Sequence, residues 1–306
     1  SGNISDLSLM QAVPGIMNDY DYKVTAILHD STVIGVEGGD TSSRMYGAAV
    51  DIGTTTIAGV LIDLRTGEEI GIYSALNPQK CHGDDVISRI GYTMENEQGL
   101  LRLQQMLLDC LNRMFEFFEE KYGISPGNIY QVCFAGNTVM MHLLAGIPVR
   151  SIATVPFQPA TTRFPVLKAK ELGLNIFSNA VISILPLISG YIGADTVACI
   201  LATDMLEQDR FSLLVDIGTN GEIILGSSKG LLACAAAAGP ALEGAHIQCG
   251  MGGVRGAISK VEIQEDKIYY ETVGNAPATG ICGSGIVDVL AGMLKAGLLD
   301  IYGRML

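Results

Sequence analysis

The sequence has few positive charges, and this shortage limits the partners that it can bind. Its 306 residues include 19 lysines and arginines against 32 aspartates and glutamates, which gives a formal net charge of −13. Because nucleic acids are bound through clustered basic side chains, this balance excludes them as a partner class. An acidic protein can still bind a nucleotide, since helix ends, backbone amides and magnesium supply positive potential locally.

A long uninterrupted apolar run is also missing. The richest apolar stretch, residues 180–194, is interrupted by Pro186 and Gly190 and is too short to span a bilayer. No basic segment precedes apolar residues at the N-terminus, so no signal peptide is indicated. We therefore expect a cytoplasmic protein that does not associate with membranes.

Closely spaced cysteine pairs are absent as well. The seven cysteines, at positions 81, 110, 133, 199, 234, 249 and 282, are an odd number and contain no C-x-x-C pair. This pattern predicts reduced, mostly buried thiols rather than disulfides or metal ligands. The C-x4-C-x2-C signature of a two-iron two-sulfur ferredoxin is not present in the sequence.

What the sequence does contain is a repeated pentapeptide. The segments MYGAAVDIGTTT (45–56) and FSLLVDIGTNGE (211–222) share Val-Asp-Ile-Gly-Thr, each at the end of an apolar run. Each copy is followed by a predicted strand, a glycine-containing turn and another strand. A dinucleotide-binding fingerprint or a P-loop would instead open directly into a helix. The pattern therefore indicates an internal duplication of strand hairpins.

The turn after each repeated strand has the chemistry of a phosphate site. Backbone N–H groups near a glycine, with hydroxyl side chains beside them, suit phosphate oxygens. Asp51 and Asp216, at the strand ends, suit a hydrated magnesium ion. Two such hairpins facing one another would hold a triphosphate, and the alternative for either copy alone is a plain hairpin turn. The predicted phosphate ligands are Gly53, Thr54, Thr55, Gly218, Thr219 and Asn220.

Paired hairpins of this kind, with a later glycine turn that enters a helix, resemble the acetate and sugar kinase, heat-shock chaperone and actin superfamily. More narrowly, six ordered motifs are similar to the ATP-dependent reductive activators of corrinoid proteins: YGAAVDIGTTT, FAGNTVMMHLLAG, SGYIGAD, VDIGTNGEI, AGPALEGAHI and TGICGSGIVD. The resemblance implies an α/β, duplicated ribonuclease-H-like (actin-like ATPase) fold. Its two halves, 45–205 and 206–306, are expected to close over Mg-ATP after a remnant of a linker domain at 1–44.

The resemblance also implies a function and a partner. ATP hydrolysis is expected to help pass an electron from a two-iron two-sulfur ferredoxin domain to the cobalt of a corrinoid protein in a methyltransferase system. Because such activators carry that cluster in an N-terminal domain, we expect the cluster to lie outside this chain. We also expect proteins of this family to have further residues after the position that corresponds to residue 306. A small-molecule kinase of the same superfamily and a non-catalytic nucleotide-dependent switch are the alternatives. A homodimer is left open.

Three polar residues have two interpretations each. By the resemblance, Asn137 contacts water or phosphate beside the phosphate site, but it could equally serve only as a helix cap. Glu243 is a candidate for positioning the attacking water, with an exposed helix-start glutamate as the alternative. Asp195 is expected in the first turns of a helix, where the helix dipole favours a carboxylate, and a contact towards magnesium is its alternative.

The remaining signals concern local structure. Apolar residues at helical spacing predict a helix from about Gln98 to Tyr122 that ends at Gly123. The segment VTAILHDSTVIGVEGG predicts two N-terminal strands across an Asp-Ser turn, and His142 is predicted to be a core histidine. The glycine-rich turn TGICGSGIVD is predicted to contact adenosine, and Ser284 is expected to cap its helix. The predicted adenosine-binding residues are Gly283, Ser284 and Gly285.

Overall fold

The computed structural model describes residues 3–4, 6–218, 220–237, 239, 247–264 and 267–306. The N-terminal segment contains β1 (Asn3–Ile4), α1 (Leu7–Asp19), β2 (Val24–His29) and β3 (Thr32–Gly38). Its strands form a small sheet in the order β1-β3-β2. Strands β2 and β3 pair antiparallel across a tight turn, which confirms the predicted strand pair.

The largest sheet follows and combines antiparallel and parallel pairing. Its strands are β4 (Tyr46–Ile52), β5 (Thr56–Asp63), β6 (Glu68–Leu76), β7 (Ile129–Gly136), β8 (Leu167–Lys168) and β9 (Val181–Ile184). They lie in the order β6-β5-β4-β7-β9-β8, with β4 to β6 as an antiparallel meander and β7 and β9 parallel to their neighbours. The C-terminal ends of β4 and β7 therefore lie at the same edge of the sheet.

Parallel strands need crossover connections, and helices supply them here. The helices between β6 and β9 are α2 (Val86–Glu95), α3 (Gly99–Tyr122), α4 (Thr138–Leu144) and α5 (Ala169–Leu172). Helix α3 ends at Gly123, whose φ of +69° is the left-handed conformation that favours glycine, so both predicted bounds of this helix are confirmed to within a residue. Fully buried residues recur along one face every three or four positions, at Leu103, Leu107, Leu111, Met114 and Phe118, and Phe115 is fully buried beside them.

The second half begins after helix α6 (Ala194–Ala202) and repeats the first meander. Strands β10 (Ser212–Ile217), β11 (Asn220–Ser227) and β12 (Gly230–Ala237) form an antiparallel sheet, as β4 to β6 do. A further sheet in the order β14-β13-β15 contains β13 (Ala257–Gln264), β14 (Lys267–Thr272) and β15 (Gly280–Ile281), and helix α7 (Gly283–Lys295) follows it.

The described elements form the mixed α/β fold that the repeated hairpins predicted. The two halves touch each other close to the hairpins, where the Ser74 hydroxyl donates to the Gly253 carbonyl at 2.9 Å. None of the described helices combines the length and the apolar character that crossing a membrane requires. The predicted domain bounds at residues 45 and 206 stay predictions.

Candidate functional site

A cavity of about 270 Å³ lies where the two hairpins meet. Both halves of the chain contribute to its wall, which combines carboxylates, threonine hydroxyls and glycine backbone. The lining residues are Asp51, Gly53, Thr54, Thr55, Thr56, Asn137, Asp195, Asp216, Gly218, Asn220, Glu222, Met251, Gly252, Gly253 and Gly283. The structure therefore brings the described parts of both predicted phosphate turns to one cavity.

Four carboxylates converge on this cavity, and the described lining includes no lysine or arginine. Asp51 lies at the end of β4 and Asp216 near the end of β10, as the repeat predicted. Asp195 comes from the first turn of α6, and Glu222 comes from β11. Sequence reasoning gave Asp195 a magnesium contact only as the alternative interpretation, and it did not single out Glu222.

Burial and mutual repulsion make the carboxyl groups of Asp51, Asp195 and Glu222 less acidic than usual. Burial raises the pKa of Asp51 to about 6, and the charges of Asp195 and Asp216 add to this effect. Burial likewise raises the pKa of Glu222 to about 7, again with contributions from Asp195 and Asp216. The pKa of Asp195 is also raised, chiefly by burial, although the Thr196 amide donates to its Oδ1 at 2.7 Å and opposes the shift. The site is thus short of positive charge.

The two hairpins differ in length, and this difference brings Glu222 into the site. The first hairpin closes around four residues and the second around three. Consequently, Asp51 pairs with Ala58 on the neighbouring strand, whereas Asp216 pairs with Glu222. Residues directly opposite on paired strands point to the same face of a sheet. A change of one residue in the length of the hairpin loop moves the following side chains to the opposite face of the sheet. The repeated sequence alone therefore could not identify Glu222 as a site residue.

The carbonyl groups of the first phosphate turn accept hydrogen bonds from neighbouring residues, and these bonds fix the orientation of the turn. The carbonyls of Gly53 and Thr55 accept hydrogen bonds from the Asn77 side chain and backbone amide, each at 2.8 Å. The Thr54 carbonyl accepts a hydrogen bond from the Arg89 guanidinium. In a trans peptide the next N–H group points opposite to the carbonyl. Tying these carbonyls back therefore turns the N–H groups that follow them, those of Thr54, Thr55 and Thr56, towards the cavity side.

Asn137 is the helix cap that one of its two interpretations predicted, and it also lines the cavity, while its contact with water or phosphate stays a prediction. Its Oδ1 accepts the Met140 amide at 3.0 Å, so it caps α4. Its Nδ2 donates to the Thr54 hydroxyl at 2.9 Å, and the residue lines the cavity. Gly193 packs against it so closely that a Cβ there would lie 2.5 Å from the Asn137 Cα atom. This close approach places Asp195, two residues later, at the cavity wall.

The glycine-rich turn before α7 contributes one of its three predicted residues to the cavity. Gly283 lines the cavity, whereas the Ser284 hydroxyl donates to the Ser259 carbonyl at 2.7 Å. The expected capping by Ser284 is wrong, because Cys282 is the N-cap and Ser284 lies inside the helix. Gly285 is buried against β13, and a Cβ there would lie 2.4 Å from the Ile258 carbonyl oxygen.

Two predicted residues, Thr219 and Glu243, lie outside the residues that the structure describes. His142 is fully buried on α4, as expected, and its Nδ1 lies 2.8 Å from the Thr138 carbonyl oxygen.

In the described part of the chain, no group of three or more histidine, cysteine, aspartate or glutamate side chains is arranged to hold a metal ion directly. Any ion between the carboxylates would therefore need water or phosphate ligands in addition.

Comparisons with known proteins place these features in a family context. A model described as the RACo middle region matches residues 46–208, and a model described as the C-terminal domain of RACo, the ASKHA domain, matches residues 210–306. A solved structure described as a reductive activator for corrinoid, iron-sulfur protein is 36% identical and superposes with a TM-score of 0.88. It covers 99% of this chain, which corresponds to 50% of that protein. These matches confirm the predicted class of fold.

Two curated relatives carry related descriptions. The corrinoid activation enzyme RamQ of Eubacterium limosum is 34% identical over 271 residues, which are 89% of this chain and 45% of the relative. The Co(II) methylated amine-specific corrinoid protein reductase of Methanosarcina barkeri is 27% identical over 292 residues, which are 85% of this chain and 53% of the relative. The chain thus spans about half the length of the relatives that it matches.

Proposed function

Because the chain belongs to the RACo family, whose two models match residues 46–208 and 210–306, we propose that it binds and hydrolyses ATP within a reductive activator of a corrinoid protein. The observation that carries the proposal is the single cavity to which both hairpins, four carboxylates and the start of α7 contribute. Its volume of about 270 Å³ is close to the lower limit of small-molecule sites, about 300 Å³.

The triphosphate is proposed to lie between the two turns. In the first turn, the amide side faces the cavity because Asn77 and Arg89 hold the carbonyl side. Thr54 and Asn137 add a hydroxyl and an amide at the same wall. In the second half, the N-terminal end of α7 at Gly283 offers N–H groups and the positive end of a helix dipole. These groups supply the positive potential that the described side chains of the cavity lack.

A magnesium ion fits the donor set of this cavity. All four acidic side chains offer oxygen ligands, which magnesium prefers, and a bound cation would offset the repulsion between carboxylates that helps to raise the pKa values of Asp51 and Glu222. Magnesium keeps several waters and takes few carboxylates, so Asp51 and Asp216 are proposed to hold it through water molecules. When bound, it would supply charge neutralisation for the phosphate oxygens.

The residues of the chain would then serve hydrolysis in separate ways. Asn137 is proposed to orient the attacking water or a phosphate oxygen, since it lines the cavity from a fixed helix start. Glu222, whose pKa lies near 7, is suited to accept a proton from that water at neutral pH. Glu243, predicted from the sequence to position the water, stays a prediction because it lies outside the described residues.

The coupling to a corrinoid protein rests on the relatives, which are named for activating or reducing corrinoid proteins. We propose that nucleotide binding and hydrolysis drive a movement of the two halves that assists reduction of the cobalt in a methyltransferase corrinoid protein. The electron is proposed to come from a two-iron two-sulfur ferredoxin domain outside this chain. The cytoplasmic location stays a prediction from the sequence, and a homodimer stays open.

The decisive experiment compares the products formed by the full-length protein with and without a corrinoid protein. Phosphate release that the corrinoid protein stimulates, together with formation of cobalt(I), is the expected result. A phosphorylated metabolite would instead indicate the small-molecule kinase. ATP binding without any turnover would indicate the nucleotide-dependent switch.

A further inference from the structure

We propose that Arg89 is a positioning residue for the triphosphate. It is a buried cation that donates hydrogen bonds on the carbonyl side of the first phosphate turn, and its charge makes the electrostatic potential on the amide side more positive. The proposal rests on the nucleotide-binding function proposed above. It concerns a side chain outside the cavity wall, on the far side of the turn formed by Gly53, Thr54 and Thr55.

The guanidinium of Arg89 is completely buried, and within the described part of the chain it donates only to neutral acceptors. It lies in α2, and its Nη2 donates to the Thr54 carbonyl. Its Nε donates to the Gly83 carbonyl at 3.0 Å, and its Nη1 donates to the Gln79 Oε1 at 3.2 Å. Among the ion pairs of the described residues, Arg89 takes part in none. A buried arginine without a carboxylate partner is unusual, because buried charges are normally paired.

The positive charge of Arg89 persists at neutral pH despite its burial. Burial lowers the pKa of Arg89 to about 10, while the charges of Asp85 and Asp84 oppose the shift. At pH 7 the side chain therefore stays protonated. A charge surrounded by protein is screened less than one in water, so its field reaches the turn with little loss. On the other side of that turn lies the cavity with four carboxylates.

The shape of the side chain explains why arginine suits this place. Thr54, Gly83 and Gln79 present oxygens in three directions, and the planar guanidinium offers separate N–H groups to all of them. A lysine ammonium would keep the charge, but it is a compact donor group on a flexible stem. The charge and the geometry of Arg89 can therefore be separated by substitution.

The test compares the affinities of the full-length protein for Mg-ATP and for adenosine by calorimetric titration. Arg89→Gln removes the charge, and we expect ATP affinity to fall about tenfold or more while adenosine affinity changes by less than about twofold. Arg89→Lys keeps the charge and is expected to retain most of the preference for ATP. Gln79→Glu places a carboxylate beside the Nη1 of Arg89, which neutralises the charge without removing the arginine. It should lower ATP affinity selectively, as Arg89→Gln does.

The ratio of the two affinities distinguishes an electrostatic role from a structural one. Near-ultraviolet circular dichroism identifies the folded variants. If Arg89→Gln does not fold, the ratio of ATP affinity to adenosine affinity in Gln79→Glu tests the electrostatic role instead. Equal losses of ATP and adenosine affinity, or an unchanged ATP affinity, would overturn the role of Arg89 and leave the proposed function intact. A wild-type protein that binds no ATP would remove the proposed function, and the role of Arg89 with it.

Discussion

Asp216 and Glu222 lie directly opposite each other on the antiparallel strands β10 and β11. The corresponding aspartate of the first hairpin, Asp51, has the neutral Ala58 opposite it. The duplicated hairpins therefore contribute unequal numbers of carboxylates to the cavity, two from the second and one from the first. Asp195 on α6 supplies the fourth. Under the proposed function, the proton acceptor Glu222 would belong to the second hairpin, while Asp51 and Asp216, one from each hairpin, would hold the metal waters.

Asp216→Asn should separate nucleotide binding from hydrolysis. The substitution removes a negative charge but leaves the shape of β10 nearly intact, so ATP should still bind. Hydrolysis should fall about a hundredfold, since metal positioning and charge neutralisation carry most of phosphoryl-transfer catalysis. Phosphate release and ATP affinity are measured separately, with Asp109→Asn, an exposed residue of α3, as the control. Equal turnover by Asp216→Asn and the wild type would remove Asp216 from the mechanism.

Glu222→Gln should alter the pH dependence of stability. The folded state raises the pKa of Glu222 from 4.5 to about 7, so it holds a proton that the unfolded state has lost over this range. The contribution of Glu222 to the free energy of unfolding of the nucleotide-free protein should therefore be fully present below pH 4.5 and be lost as the pH rises through 7. Glutamine mimics the protonated carboxyl and should stabilise the protein at pH 8 by about 1 kcal/mol, less than the full shift because Glu222 faces an open cavity.

The measurement for Glu222 is the unfolding midpoint in urea at pH 5, 6, 7 and 8, with a chelator present. Glu116→Gln, an exposed substitution on α3, is the control and should follow the wild-type curve. Curves of Glu222→Gln and wild type that stay parallel across this range would show that Glu222 ionises normally.

Gly193→Ala should disturb the site through packing. The φ of Gly193 is −94°, so alanine is allowed by the backbone. Its Cβ, however, would lie 2.5 Å from the Asn137 Cα atom and 2.6 Å from the Gly136 carbonyl oxygen. We expect α6 and Asp195 to shift, with a loss of about 1–3 kcal/mol in stability and a lower rate of hydrolysis. Chemical denaturation and phosphate release measure the two effects.

The matched control for Gly193 is Gly127→Ala, where the added Cβ would meet its nearest neighbour, the Ser125 hydroxyl, at an ordinary 3.7 Å. This variant should keep wild-type stability and activity. If both alanine variants behave alike, the close packing of α6 against Asn137 has no role in the site.

Gly283→Val should weaken nucleotide binding without unfolding the protein. Gly283 lines the cavity at the start of α7, where a branched side chain would block the close approach of a ligand to the backbone. We expect ATP affinity to fall about tenfold or more in calorimetric titration. Gly15→Val is the control, because this helical glycine has open space around its Cβ position. Unchanged affinity in folded Gly283→Val would place the nucleotide elsewhere.

Much of the fold could be predicted from the sequence because its signals are local. The repeated Val-Asp-Ile-Gly-Thr segments occupy corresponding hairpins, and the helical spacing before Gly123 marks α3 within a residue. The placement of Asp51 and Asp216 at one cavity also followed from the repeat. Such signals depend on the spacing of residues along the chain, which the amino-acid order itself determines.

The rest of the site depends on contacts between distant parts of the chain. Glu222 faces Asp216 only because the second hairpin is one residue shorter, and Asp195 reaches the cavity only because Gly193 lets α6 approach Asn137. The Ser284 hydroxyl donates to the Ser259 carbonyl, and Ser284 does not line the cavity. The buried charge of Arg89 behind Thr54 was likewise not visible in the order of residues. Strand register, helix approach and burial are set by packing in three dimensions, so tertiary structure decided which further polar groups join Asp51 and Asp216 at this cavity.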